Sequence, residues 1–306
     1  MATTPVKVWT EVIGGSAGES GRAITIGLDG SIYITGGTYG DLDGQANSGL
    51  TDTFLTKYSV DGSKAWTKLF GTASSTDLSN GIDTGADGSI YITGYTNGDL
   101  DGQRPNGHLT NVDAFLTKYD TTGTQVWTRL LGGGLAEYSY AIASGSDGSV
   151  YIGGSTKGPS LDGQAINLNR GSNDGFLVKY SADGTKAWTK LVGTAAVIYE
   201  VATGPDGSIY VTGTGGTFDG EVNYAGGQAF LRKYDASGVT VWTEILGNDR
   251  SVYSKALTIG LDGSLYIAGF ITGDLDGQSN SGLSWEADAF LVKYSGDGSK
   301  QWTKLI

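Results

Sequence analysis

Short stretches of alternating apolar and polar residues recur along the chain, with glycine-rich turns between them. In the first unit they are AITIG at 23–27, SIYITG at 31–36, TFLTKY at 53–58 and AWTKLF at 65–70. A period of two predicts a β-strand for each, here called A, B, C and D, and the Asp-Gly pairs in the A–B and C–D links predict tight antiparallel turns. Strand B carries apolar or aromatic side chains on both faces, as expected of a strand that lies between two neighbouring sheets.

The same set of motifs occurs five times. An Asp-Gly-Ser-aliphatic-Tyr motif precedes or enters strand B, beginning at Asp29, Asp87, Asp147, Asp206 and Asp262. Strand C begins with Phe-Leu-x-Lys-Tyr at Phe54, Phe115, Phe176, Phe230 and Phe290, and a strand D tryptophan follows at Trp66, Trp127, Trp188, Trp242 and Trp302. The repeat units cover about 14–70, 71–131, 132–192, 193–246 and 247–306. Because no capped helical pattern appears, the sequence predicts an all-β, five-bladed β-propeller of four-stranded antiparallel blades, forming one domain over 1–306.

One further segment has the pattern of strand D. VWTEVI at 8–13 lies before the first complete unit, so residues 1–13 supply an extra outer-type strand. Five closed blades need only one D strand each, so either the Trp9 segment or the Trp302 segment closes the ring and the other is a surplus terminal strand. An unpaired strand edge can pair with another molecule, which predicts possible self-association.

The combined motifs resemble a known repeat family. DGSIYITGYT at 87–96, DAFLTKY at 113–119 and the following Trp-Thr-Arg are similar to the bacterial β-propeller repeat named after seven blades, particularly to cyanobacterial repeat arrays. The resemblance extends over all five units. It implies a propeller, and an extracellular or cell-surface location, although the chain contains no recognisable signal peptide. Only five units can be counted here, fewer than the family name implies.

Composition and charge exclude several classes of function. The chain of 306 residues has no cysteine, one histidine and a net charge of −12. These values argue against thiolate chemistry, histidine-rich metal centres, a serine–histidine triad and a nucleic-acid partner. No apolar run is long enough to span a membrane as a helix.

Acidic residues in the B–C connections are candidate calcium ligands. The first, second and fifth connections each hold an Asp-x-Asp pair and a third aspartate at the start of strand C. The nine residues are Asp41, Asp43 and Asp52; Asp99, Asp101 and Asp113; and Asp274, Asp276 and Asp288. Three carboxylates that converge could bind Ca²⁺. The alternative is that these aspartates only form turns by accepting hydrogen bonds from nearby backbone amides.

Two other residue types attract attention. Trp285 lies outside the repeated pattern in the fifth B–C loop, and is either an exposed stacking surface for a sugar or partner protein, or a cover for the loop. The lysines of the Phe-Leu-x-Lys-Tyr motif are expected to be solvated residues that protect strand edges.

Three functions remain open. Recurring loops on one face favour a non-enzymatic binding or adhesion module that engages a glycan or protein surface multivalently. A glycosidase-like hydrolase would need unmatched carboxylates near the axis, and Asp83 and Glu200 break the pattern of strand A. The third possibility is a structural spacer cut from a longer array. No catalytic residue or cofactor other than possible Ca²⁺ is expected, and the ligand-binding face is expected to carry the B–C and D–A connections.

Overall fold

The computed structural model describes residues 8–103, 111–133, 135–158, 160–165, 173–218, 221–222, 227–247, 251–280 and 286–306. All regular structure in these residues is β. Blade 1 contains β1 (Glu19–Ile26), β2 (Ile32–Thr38), β3 (Asp52–Tyr58) and β4 (Lys64–Phe70). Blade 2 contains β5 (Asp77–Thr84), β6 (Ile90–Thr96), β7 (Asp113–Tyr119) and β8 (Gln125–Leu131).

The third and fourth units carry additional short strands. Blade 3 contains β9 (Glu137–Ser144), β10 (Val150–Thr156), the short β11 (Ser160–Leu161) and β12 (Gln164–Ala165), β13 (Asp174–Tyr180) and β14 (Lys186–Thr194). Blade 4 contains β15 (Val197–Thr203), β16 (Ile209–Gly215), β19 (Gln228–Tyr234) and β20 (Thr240–Leu246). The short β17 (Thr217–Phe218) and β18 (Glu221–Val222) lie in its B–C connection and pair with blade 3. Blade 5 contains β21 (Val252–Ile259), β22 (Leu265–Ile271), β23 (Asp288–Tyr294) and β24 (Lys300–Leu305).

Strand pairing is antiparallel throughout these blades and follows chain order. Blades 1, 2, 4 and 5 are four-stranded sheets, and the sheet of blade 3 has six strands because β17 and β18 extend it beyond β14. The repeated antiparallel sheets confirm the predicted all-β class. The first strand of each blade contacts that of the next, in the order β1, β5, β9, β15 and β21, so strand A is the innermost strand. Contact of this extent is not found between the fully described strands β21 and β1, and closure of five blades into a ring stays a prediction.

The core consists of the layers between blades. In blades 2 to 4 strand B is buried on both faces, as its pattern predicted: Ile90, Tyr91 and Ile92 of blade 2 are all inaccessible or nearly so. Four apolar clusters fill the contacts between successive blades from 1 to 5. Each blade is therefore held mainly by its neighbours, which is the usual source of stability in repeat proteins.

The two terminal D-type segments have different environments. β24, with Trp302, pairs with β23 and is the outer strand of blade 5. Residues 8–13 belong to no strand, and the ring of Trp9 stacks on Tyr58 of blade 1 at a centroid distance of 6.4 Å. No helix in the described residues is long and apolar enough to cross a membrane.

Candidate functional site

Every innermost strand contains one bulged residue that has no partner on strand B. The register shifts place this residue between paired neighbours in all five blades, at Arg22, Asn80, Tyr140, Tyr199 and Lys255. A β-bulge bends its strand and redirects a side chain, and bulges are common beside functional sites. The five blades thus present five side chains from equivalent backbone positions along the inner edge of the sheets, and only tyrosine occurs twice.

Tyrosine rings connect these positions across three blades. Tyr95 packs edge-to-face on Tyr138 with centroids 5.0 Å apart, and Tyr138 stacks on Tyr140 at 6.2 Å. Tyr140 in turn contacts Tyr199 at 5.9 Å. Tyr95, Tyr138, Tyr140 and Tyr199 are here called the tyrosine row. All four are partly exposed, so their rings are available to a ligand.

The row carries positive charge towards both ends. The Nζ atom of Lys255 lies 3.3 Å from the ring centroid of Tyr199, a close cation–π contact. At the other end burial raises the pKa of Tyr95, and the nearby positive charge of Arg22 opposes that rise. Burial also raises the pKa of Tyr140. Both tyrosines therefore stay neutral at physiological pH, and their hydroxyl groups can donate and accept hydrogen bonds.

The row lies at the face where the long connections were expected to form the binding surface. Tyr95 is the penultimate residue of β6, immediately before a B–C connection, and Tyr138 is the second residue of β9, just after a D–A connection. Asn80, at the bulge between Arg22 and Tyr140, donates from Nδ2 to the Ser139 carbonyl over 2.9 Å. Its amide group links the inner strands of blades 2 and 3 beside the row.

Strand A also carries two carboxyl groups whose charges interact, Glu200 and Asp83. Burial raises the pKa of Glu200 to about 7, and the negative charge of Asp83 adds to the rise. Burial also raises the pKa of Asp83, whose carboxylate accepts a 2.6 Å hydrogen bond from the Ser144 amide. Glu200 directly follows the bulged Tyr199 in the chain. A glutamate that titrates near neutral pH is suited to proton transfer. Glu200 and Asp83 therefore stay candidates for acid–base chemistry.

The second aspartate of each Asp-x-Asp pair is bound by side chains of the same blade. Asp43 accepts a 2.5 Å hydrogen bond from Lys64 Nζ and another from Thr67, and Lys64 is the main cause of the lowered pKa of this carboxylate. Asp276 is bound in the same way by Lys300 at 2.6 Å and by Thr303. Asp101 accepts a hydrogen bond from Gln125 instead. All three have positive φ angles of 50° to 51°, as turn residues that precede glycine.

The other candidate calcium ligands also have local contacts. Asp41 and Asp274 each accept a 2.9 Å hydrogen bond from the backbone amide six residues later. Asp52 is 1% exposed and accepts one from the Ser48 amide. Burial raises the pKa of Asp113 to about 6, and Asp99 and Asp288 also have interaction partners. The described part of the chain contains no group of three acidic or histidine side chains arranged to hold a metal. These contacts fit the turn alternative, and calcium binding stays a prediction.

Trp285, the predicted stacking residue, lies outside the described residues. The expectation that the strand C lysines are solvated is wrong for Lys118. Lys118 is 8% exposed, its Nζ atom bonds Asp87 at 2.9 Å, and it donates to the Ala182 carbonyl of the next blade at 3.2 Å. Lys57, Lys179 and Lys233 likewise reach a carbonyl of the following blade. The lysine therefore links neighbouring blades. It forms an ion pair with the aspartate of the Asp-Gly-Ser turn in its own blade and donates a hydrogen bond to the C–D turn of the next.

Sequence reasoning missed the tyrosine row. Its signal was present in strand A, where one position changes from Arg22 to Asn80, Tyr140, Tyr199 and Lys255 while the flanking positions are mostly small or aliphatic. Variation at one position of an otherwise regular repeat is a mark of a site that differs between blades. The bulge that turns this position into an inward-facing one could not be identified from alternation alone.

Comparison with known proteins supports the repeat assignment. Residues 65–101 match the family described as Beta-propeller repeat, which confirms the resemblance noted in the sequence. The regulatory protein FlaEY of Caulobacter vibrioides is 29% identical over 208 residues, covering 62% of this chain and 21% of that protein. An uncharacterized WD repeat-containing protein of Acanthamoeba polyphaga mimivirus is 24% identical over 257 residues, covering 63% of this chain and 18% of that protein. The chain thus spans about a fifth of the length of these relatives.

Solved structures show the same fold at low identity. A polysaccharide lyase, an ulvan lyase bound to a GlcA(1-4)Rha3S saccharide, superposes with a TM-score of 0.52 at 12% identity, covering 92% of this chain and 69% of that chain. An ACO/RPE65 chimera superposes with a TM-score of 0.52 at 13% identity, covering 94% of this chain and 62% of that chain. At these identities the likeness concerns the fold alone.

Proposed function

We propose that this chain is a non-enzymatic binding propeller that holds a polysaccharide along the tyrosine row. The single observation that supports this proposal is the continuous contact of four partly exposed tyrosine rings across three blades. Flat aromatic rings pack against the apolar C–H faces of sugar rings, while their hydroxyl groups bond sugar hydroxyls. A row of such rings suits several consecutive sugars of one chain.

The charges beside the row favour an anionic polysaccharide. The chain as a whole is acidic, with a net charge of −12, so a polyanion is repelled by most of its surface. Arg22 and Lys255 provide local positive charge close to the rings. These two cations would bind the uronate or sulfate groups of the ligand. The acidic surface around the row would repel an anionic ligand that made extended contact elsewhere, so binding would be confined to the row.

Binding is tested with purified polysaccharides in the concentration range of weak carbohydrate recognition. A panel of neutral, uronic-acid and sulfated polysaccharides is compared by isothermal titration calorimetry. We expect binding to the anionic members, a loss of at least about tenfold in affinity for Tyr199→Ala, and near-normal affinity for Tyr199→Phe, which keeps the ring. Val126→Ala is the control, because Val126 is an exposed apolar residue on the outer strand of blade 2, outside the tyrosine row. Absence of binding to every member, or equal binding by Tyr199→Ala, would refute the proposal.

A second candidate is a hydrolase or lyase of the same class of ligand. It is favoured by Glu200, whose pKa of about 7 makes the carboxyl group both a proton donor and an acceptor at neutral pH. Asp83 would supply the second carboxylate. The test is product formation: release of reducing ends or unsaturated sugars by the wild-type protein and its loss in Glu200→Gln. A protein that binds the polysaccharide without any turnover supports the first proposal and excludes the second.

The location and the loop ions are proposals of the same kind. A cell-surface or extracellular location is consistent with polysaccharide binding and with the repeat family. Protein surfaces remain alternative ligands of the loop face, and Ca²⁺ a possible ion in the B–C connections.

A further inference from the structure

Blade 1 exposes an aliphatic surface that is buried in every other blade. Ile24 of β1 is 65% exposed, whereas its equivalents Ile82, Ile142, Val201 and Leu257 are 8%, 7%, 4% and 8% exposed. Ile26 on the same strand is also exposed, and Ile32 and Ile34 of β2 are only half buried. We call these four residues the blade 1 face. In blades 2 to 5 the equivalent surface packs against the preceding blade.

Blade 5 exposes the surface that, in blades 1 to 4, packs against the following blade. Tyr266 of β22 and Leu291 of β23 are partly exposed, although their equivalents in blades 1 to 4 are buried. Ala289 is exposed, whereas Thr53, Ala114, Gly175 and Ala229 at the same position are buried. Tyr266, Ala268, Ala289 and Leu291 form the blade 5 face. Each internal blade contact joins one surface of each type, so the two free faces are complementary in kind.

The polar groups of the two faces are also matched. Across three internal contacts a strand B threonine bonds a strand A serine of the next blade: Thr35 with Ser79 at 2.6 Å, Thr93 with Ser139 at 2.8 Å and Thr212 with Ser254 at 2.8 Å. Between blades 3 and 4 both hydroxyls are absent, and Gly153 faces Ile198. The blade 5 face has Ala268 at the threonine position and the blade 1 face has Gly21 at the serine position. Neither face carries a hydroxyl group at this position, so contact between the two faces would bury no unpaired hydroxyl group there.

The N-terminal segment occupies part of the free contact. In three of the four internal contacts a strand D tryptophan covers a turn glycine of the next blade, as Trp66 covers Gly123 and Trp242 covers Gly298. Between blades 2 and 3 the guanidinium group of Arg129 covers Gly184 instead. At blade 1 the equivalent turn glycine is Gly62, and it is covered by Trp9. Trp302 of blade 5 covers no turn glycine among the described residues and is 37% exposed. Trp9 thus lies where the tryptophan of a preceding blade would lie.

We propose that the blade 1 face of one molecule binds the blade 5 face of a second copy of this chain, head to tail. A second copy is favoured over closure onto the molecule's own blade 5, because contact of the extent seen between successive A strands is not found between the described strands β1 and β21. A second copy carries the required surface and would continue the four internal contacts with the same residue types. On binding, the partner's Trp302 takes the place of Trp9 on Gly62. The N-terminal segment therefore competes with association, and its removal strengthens it.

The test is the mass of the protein in solution, measured by size-exclusion chromatography with light scattering from about 1 to 100 µM. We expect concentration-dependent association of the wild type and at least about fivefold tighter association of Trp9→Ala. Ile24→Asp and Ala289→Arg should each be monomeric, since each places a charge in one face. Val126→Asp, at an exposed apolar residue on the outer strand of blade 2, is the matched control and should associate like the wild type.

Mixing the two blocked variants tests the head-to-tail geometry. Ile24→Asp retains the blade 5 face and Ala289→Arg retains the blade 1 face, so an equal mixture should form a dimer and no larger species. Circular dichroism verifies that each variant is folded. A wild type and a Trp9→Ala variant that are both monomeric over the whole range would overturn the proposal, and so would a mixture that stays monomeric while the wild type associates.

Discussion

The indole ring of Trp9 covers Gly62, and a Cβ atom at that glycine would lie only 2.7 Å from the ring. Trp188 of blade 3 has the same relation to Gly238 of blade 4, where the corresponding distance is 3.0 Å. The two tryptophans differ in attachment, because Trp188 belongs to β14 and Trp9 to a segment outside any strand. The same contact is therefore part of the core between blades in one case and a terminal cover in the other.

This difference predicts unequal effects of truncation. Trp188→Ala should lower the free energy of unfolding by about 3 kcal/mol, because it removes a ring that packs on Tyr151 and on the next blade. Trp9→Ala should cost at most about 1 kcal/mol, since the ring is 37% exposed and its segment is unpaired. Urea unfolding monitored by circular dichroism measures both values. Equal losses would show that the N-terminal segment is an integral part of blade 1.

The strand C lysines should contribute unequally to stability. Lys118→Met removes an ion pair with Asp87 and a hydrogen bond to the Ala182 carbonyl in a nearly buried position, so we expect a loss of about 2 kcal/mol. Lys293→Met is the matched control in blade 5, where the lysine has the same motif and bonds Asp262 at 3.3 Å but reaches no carbonyl of another blade within the described residues. The loss of unfolding free energy in Lys293→Met, measured by urea unfolding, should be small. A Lys118→Met variant as stable as the wild type would remove the lysine from the contact between blades.

Buried carboxyl groups predict a decline in stability as the pH rises from about 5 to 8. The pKa values of Asp113 and Glu200 are raised to about 6 and about 7, so the folded state binds more protons than the unfolded state in this range. Stability therefore falls as the pH passes upward through these values. Asp29 acts in the opposite sense at low pH, because the Ser31 amide and Lys57 lower its pKa to about 2 and its contribution is lost as the pH falls below 4.

The measurement is the melting temperature of wild type and variants across this pH range. Glu200→Gln should reduce the decline between pH 5 and 8, while Asp29→Asn should leave it unchanged and alter only the acid limb. A melting temperature that rises from pH 5 to 8, or an unchanged slope in Glu200→Gln, would contradict the assignment.

The calcium prediction is tested by thermal unfolding with chelator and with millimolar Ca²⁺. Because Lys64 and Thr67 already bind Asp43, and Lys300 and Thr303 bind Asp276, we expect a change of less than about 1 °C. A clear rise with Ca²⁺ that Asp43→Asn reduces would instead support ligation by the first loop. In that case Lys64 would have to leave the carboxylate, and Lys64→Met should strengthen calcium binding.

Elements that depend on neighbouring residues alone can be predicted from the sequence. Alternation and the Asp-Gly turns predicted strands such as β2 and β3 within one or two residues, because side-chain period and turn chemistry act over a few positions. The repeated motifs predicted the repeated antiparallel sheets and, in blades 2 to 4, the two buried faces of strand B, whereas a closed ring of five blades stays a prediction. The aspartates of the B–C connections were recognised as chemically notable, and the sequence offered their turn role as one of two alternatives.

The contacts that each repeated residue makes depend on how the blades pack in the tertiary structure. The sequence does not distinguish Ile24 from Ile82, yet one is exposed and the other buried, because burial depends on whether another blade covers that face. The sequence predicted Lys118 to be a solvated edge residue, whereas in the structure it donates a hydrogen bond to the Ala182 carbonyl of the next blade. The tyrosine row depends on bulges that reset the alternation in strand A and on inner strands from different units lying side by side. These are contacts between residues some 60 positions apart, and a local pattern carries no information on which of them the packed blades bring together.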